Sequence, residues 1–242
     1  MKKIFFIFFL CLIVLLSIFT ADKSIKVMKN IFFAKDDTDN GTITIVIDPG
    51  HGGVDPGKVG VNNTLEKNIN LSIACKLKNL LELNDIKVIM TREEDLGLYS
   101  EDDSNKKRAD LKKRIDIIHS SKADLAISIH QNSFTQEYVK GAQVFYYQQS
   151  PQGKQLAELI QNQLGLTIAD GNHRKAKSNN TYYMLTHTEC PLVIVECGYL
   201  SNVSEADLLL EEEYQEKMAW GIHLAILQFI NEGKLEPSVT LD

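Results

Sequence analysis

Thr42-Ile43-Thr44-Ile45-Val46-Ile47-Asp48-Pro49-Gly50-His51-Gly52-Gly53 is the stretch that decides the fold. Its first half is β-branched and almost unbroken, the pattern of a strand buried on both faces. Its second half stops that strand with proline and glycine and presents one imidazole just past the strand end. A helix follows, because Ile69, Ile73, Leu77, Leu80 and Leu81 stand at helical spacing within residues 65–83. The beat then repeats. Strands are expected at 87–91, 123–130, 143–147 and 192–197, and helices at 110–120 (Leu111, Ile115 and Ile118 on one side), 153–164 and 212–230. Such alternation predicts an α/β domain with a mostly parallel, twisted sheet and helices on both faces. Functional groups should gather at the carboxyl ends of the strands.

Working outward, the folded unit spans about residues 42–232, ample for one core and short for two. Residues 233–242 read as a tail. The chain is 44% hydrophobic and 24% charged, with 14 glycines and 5 prolines in 242 residues, which excludes a disordered or collagen-like protein. A net charge of −6 leaves no basic field for phosphates and argues against nucleic-acid binding. At the amino end, Lys2 and Lys3 precede an apolar run from Ile4 to Ala21 broken only by Ser17 and Thr20. Residues 1–21 are thus either a signal peptide or an uncleaved anchor contacting the membrane, and the remainder is expected to be extracytoplasmic. Phe19 stands where a small residue would favour a cut after Ala21, which keeps the anchor reading open. Residues 22–41 are polar and read as a linker. Cys75, Cys190 and Cys197 form no Cys-x-x-Cys pair and are expected to be free, buried thiols.

His51 alone would be an ordinary loop histidine. Gly52 to Lys58 also satisfies G-x-x-x-x-G-K, but Val59 supplies no hydroxyl, Pro56 removes a donor and Asp55 repels phosphate, so a nucleotide cradle is rejected. Glu66 opens the first helix, where Asn63-Thr64-Leu65-Glu66 spells a capping box. His130 changes that reading. It ends the apolar strand Leu125-Ala126-Ile127-Ser128-Ile129 and is delivered to the same sheet edge as His51. Two imidazoles and one carboxylate, His51, Glu66 and His130, then make a three-ligand site suited to Zn²⁺ with one position open. Glu196, near the end of the buried strand Val193-Ile194-Val195, is costly there unless it has work to do, and it is the expected base. An ion pair with an Arg or Lys is its bland alternative. His119 and His223 sit on helices and stay outside the metal shell, and His187 is a candidate for lining the cleft. Asn132, two residues past a ligand, and Arg174, in a polar loop where its guanidinium can hold a carboxylate, are either second-tier site residues or ordinary solvated loop residues.

With these residues in place, four blocks of the chain resemble the signatures of the zinc-dependent N-acetylmuramoyl-L-alanine amidases. They are Asp48-Pro49-Gly50-His51-Gly52-Gly53, Glu66-Lys67-Asn68 with Leu71, Ser128-Ile129-His130-Gln131-Asn132 and Glu196-Cys197-Gly198-Tyr199-Leu200-Ser201-Asn202. They occur in family order across about residues 43–230. The short amino-terminal segment and single catalytic domain further resemble the germination- and sporulation-specific CwlD-type members. The resemblance implies one zinc ion on His51, Glu66 and His130, with Glu196 as the catalytic glutamate. It also implies a peptidoglycan substrate cut between the muramic lactyl group and L-alanine, in spore cortex, as the first step toward muramic lactam. An accessory protein outside the membrane is a further candidate partner. Gln131, Cys197 and Tyr199 depart from common family choices without touching a proposed ligand. Two rivals remain at this point: another zinc peptidase or deacetylase of the wall, and a non-catalytic wall-binding protein on the same fold.

Overall fold

A computed structural model describes residues 42–233 and residue 235. The signal or anchor at 1–21, the linker at 22–41 and nearly all of the tail therefore lie outside the described residues. Among the described residues, no helix is long and apolar enough to cross a membrane.

The elements run β1 (Thr44–Pro49), α1 (Glu66–Glu82), β2 (Lys87–Met90), α2 (Lys106–Ser120), β3 (Leu125–Asn132), β4 (Gln143–Tyr146), α3 (Pro151–Ile168), β5 (Lys177–Ser178), α4 (Tyr183–His187), β6 (Leu192–Tyr199), α5 (Val203–Leu208) and α6 (Glu212–Asn231). They form a six-stranded sheet in the order β2-β1-β3-β6-β4-β5. Every pairing is parallel except β4 against β6. The α/β reading with a mostly parallel sheet holds.

Alternation along β1 sorts its side chains to two cores. Ile45 and Ile47 join Leu77 of α1, Ile160 of α3 and Ile226 and Phe229 of α6 on one face. Val46 joins Ile115 and Ile118 of α2 and Met184 and Leu185 of α4 on the other. The central strands are mostly apolar until near their carboxyl ends because both faces are covered, which is why they read as nearly continuous hydrophobic runs.

Three short elements, β5, α4 and α5, carry too few residues to show a period and were not foreseen. Helix α2 starts four residues before its apolar stripe, at a charged turn capped by the Asn105 side chain, which accepts from the Arg108 N–H. Residues 93–105 form no helix or strand, but they are strapped to the site loop: Asp95 accepts from the Gly53 N–H and pairs with Lys67. All three described cysteines are free; only Cys197 is buried, while Cys75 and Cys190 are half-buried.

Candidate active site

His51 follows β1 in a left-handed conformation, φ 63°, which a non-glycine residue adopts only when its surroundings hold it there. Two buried arginines supply the hold. Arg92 donates to the carbonyls of Pro49 (2.9 Å) and Gly50 (3.0 Å), and Arg114 donates to those of Pro49 (2.8 Å) and His51 (2.7 Å). Arg114 also pairs with Asp48, which accepts from Ser128 and Thr91 as well. Burial would raise the Asp48 carboxyl, but the Arg114 guanidinium and the two hydroxyls hold it at about 2. The His51 Nδ1 lies 2.8 Å from Asp55 Oδ2. An ionised carboxylate only accepts, so Nδ1 carries the proton and Nε2 is left to face the site.

Glu66 does not cap its helix. The N-cap is Leu65, which makes no side-chain bond, and the Glu66 carboxylate turns inward, 1% exposed. Its Oε2 accepts from the Lys58 N–H (2.7 Å) and its Oε1 from the Gln131 N–H (3.0 Å) and from Asn70 (3.3 Å). The same oxygens meet both imidazoles: His51 Nε2 at 3.3 Å and His130 Nδ1 at 3.0 Å. Burial opposes ionisation of Glu66, but hydrogen bonds and charge from His130 and His51 win and hold it well below the usual range. Burial likewise opposes protonation of His51, and Glu66 and Asp55 together overcome it, raising that imidazole. The His130 ring lies against Gly50, where any Cβ would collide with it, so a side chain there would displace the ring.

The donor atoms of His51, Glu66 and His130 all lie within 4.8 Å of one another. Donors about 2.0–2.2 Å from a tetrahedral zinc ion stand about 3.4 Å apart. The three donors are within reach of one such ion, with the side chains closing in from separations of up to 4.8 Å. Sequence positions 51, 66 and 130 are thus brought together as expected.

Glu196 lies directly opposite His130 in the β3–β6 register. It is buried, it enters no ion pair among the described residues, and its Oε2 has no hydrogen-bond partner. The ion-pair alternative for it has no support in the fold. Burial pushes its carboxyl up to about 7; neighbouring Glu66 acts in the same direction, and His130 and His51 oppose it.

These groups line one cleft of about 270 Å³ together with Lys58, Lys107, Leu111, Asn132, Ser133, Tyr182 and Tyr183. A larger groove of about 520 Å³ lies between α1 and α6 around Lys76, Leu80 and Trp220. It holds none of the titratable cluster, so the chemistry belongs to the smaller cleft. Asn132 lines that cleft, its side chain accepting from the Ser133 N–H. Arg174 does not line it: its guanidinium donates to Lys140 O and Gln143 and lies 4.9 Å from the centre of the Tyr199 ring. His187 is exposed, stacked on Tyr183 and outside the lining. His119 is exposed and His223 is buried among core residues.

Asp55, Asn70, Arg92 and Arg114 were missed in the sequence. Arg114 had a signal. It falls three residues after Leu111 and four before Ile118, on the apolar stripe of its helix, and Asp48 at the end of a buried strand needed a cation.

A family model described as N-acetylmuramoyl-L-alanine amidase matches residues 45–228. The germination-specific N-acetylmuramoyl-L-alanine amidase of Bacillus subtilis is 39% identical over 191 residues, 78% of this chain and 80% of that one. The CwlD amidase of Clostridioides difficile, solved in complex with the GerS lipoprotein, superposes with a TM-score of 0.77 at 40% identity, covering 79% of this chain and all of that one. The amidase Ami1 of Mycobacterium smegmatis shares the fold at 18% identity and a TM-score of 0.69.

Proposed function

Because the chain belongs to the N-acetylmuramoyl-L-alanine amidase family of hydrolases, we propose that His51, Glu66 and His130 hold one zinc ion and that Glu196 is the base that cleaves the muramoyl–L-alanine amide of peptidoglycan. Zinc bound there supplies a Lewis acid that polarises the scissile carbonyl and acidifies water. The rest of the work falls to the chain. The Asp55 carboxylate fixes the tautomer of His51, and the Lys58 and Gln131 amides with Asn70 fix the Glu66 carboxylate. Glu196 Oε2 accepts a proton from the attacking water as the C–O bond forms, and then gives it to the alanine nitrogen as the amide C–N bond breaks. The observation that carries this reading is the buried, unpartnered Oε2 of Glu196 beside the His-Glu-His cluster. Burial raises that carboxyl above the ordinary range and makes it a better proton acceptor.

The likeness to the germination-specific B. subtilis amidase supports spore cortex as the target, and with it an extracytoplasmic site of action. The likeness to a CwlD amidase complexed with a lipoprotein supports an accessory protein partner. Residues 1–21 would deliver the catalytic domain across the membrane or hold it there. The test is to incubate the full chain with peptidoglycan, with and without a chelator, and to identify the new termini. Release of L-alanine amines that chelation abolishes is the expected result. Other new termini would point to a peptidase or deacetylase, and binding without any new terminus would leave only a wall-binding protein.

A further inference from the structure

Lys58 and Lys107 reach the proposed catalytic cleft from two separate elements, the loop between β1 and α1 and the first turn of α2. Both are exposed, and among the described residues neither ammonium has a carboxylate within 4 Å. Their neighbours behave differently: Lys67 lies 2.7 Å from Asp95 and Lys106 2.6 Å from Glu101. The cations beside the cleft are thus held in close ion pairs, while the two that line it act on Glu196 and Asp55 only at longer range. Arg174, the cation that the sequence offered for a peptide carboxylate, is spent on Lys140 O, Gln143 and the Tyr199 ring. Lys58 has a separate backbone task, since its N–H holds Glu66, and its side chain remains available for a ligand.

Resting on the amidase reading above, we infer that Lys58 and Lys107 are specificity-determining residues that bind the free carboxylate of the acidic second residue in the stem peptide. An ammonium on a flexible stem suits a point charge approached from solvent better than a fixed fork would. Both lysines line the same cleft as Glu196, so their charge acts where a stem peptide would lie. Tyr182 and Tyr183 add apolar surface to the same lining.

The test uses the full chain and two synthetic muramoyl tripeptides that differ only in whether the free carboxyl of the second residue is ionised or amidated. The expected result is a preference of about tenfold in kcat/KM for the ionised form, carried by KM, the combined effect of two exposed ion pairs. In K58A/K107A that ratio collapses toward one, and in K58R/K107R it returns. Equal handling of the two substrates by the unaltered chain, or a preference that survives in K58A/K107A, would overturn the inference. Calorimetric binding of the same two ligands to E196Q reads the lysines without turnover. If the unaltered chain cleaves neither substrate, the amidase reading fails, while the ratio of the two dissociation constants still decides the lysine assignment.

Discussion

Asp48 and Glu196 are both carboxylates near the carboxyl ends of buried, adjacent-but-one strands, and their surroundings drive them in opposite directions. Asp48 meets Arg114, Ser128 and Thr91 and is held at about 2; Glu196 meets no donor at Oε2 and is pushed up to about 7. The lesson is that one edge of the sheet contains a satisfied half and an unsatisfied half. The satisfied half fixes the backbone that presents His51 and stabilises the fold. The unsatisfied half holds Glu196, whose Oε2 has no partner and which is proposed above as the base.

This contrast breaks most sharply at Glu196. E196Q should lower turnover by about 10²–10⁴ while zinc content and the unfolding midpoint stay near those of the unaltered chain. Retained turnover in zinc-replete E196Q would remove Glu196 as the base. Next in size, R114M leaves Asp48 buried without its cation and should cost about 3–5 kcal/mol in denaturant unfolding. Because Arg114 also holds the Pro49 and His51 carbonyls, zinc retention should fall with it. A double variant R114M/D48N that recovers part of the loss would show that the pair, not general packing, is responsible.

The acid limb tests the same residue by titration. Asp48 is lower in the folded chain, about 2, than its ordinary 3.8, so its stabilisation is complete above about pH 4 and is lost as pH falls through 2. That loss amounts to about 2 kcal/mol, and D48N should lack this part of the acid slope. A smaller effect is expected from G50A, whose Cβ displaces the His130 ring; zinc affinity should drop about tenfold with little change in secondary structure, read by metal titration. Smallest is K67M, which removes a partly exposed pair with Asp95 and should change stability by no more than about 1 kcal/mol.

Much of this was legible in the chain. The β-branched run before Asp48 and the helical spacing from Ile69 to Leu81 gave the first strand and helix within two residues at each end, because continuous burial on two faces leaves few choices of residue. The proposed ligands were legible because His51 and His130 each end an apolar strand, where a polar side chain is conspicuous. Glu66 was ambiguous, since its capping box was a sound local reading that tertiary contacts overrode. The unpaired lysines at the cleft look in the sequence like any solvated charge.

The order of residues along the chain determined the alternating strands and helices, the sheet edge where the chemistry gathers, and which imidazoles and carboxylates arrive there. Only the tertiary structure decided which charges are buried and paired. Arg114 stands on the apolar stripe of its helix, but what it holds is set only when α2 packs on the sheet and places it under the His51 loop, with its guanidinium on Asp48 and two carbonyls. The physical reason is range. Hydrophobic periodicity is set by neighbours a few positions away; Arg114 takes one partner, Asp110, from its own helix, but its other partner, Asp48, is 66 positions away and only packing brings it in.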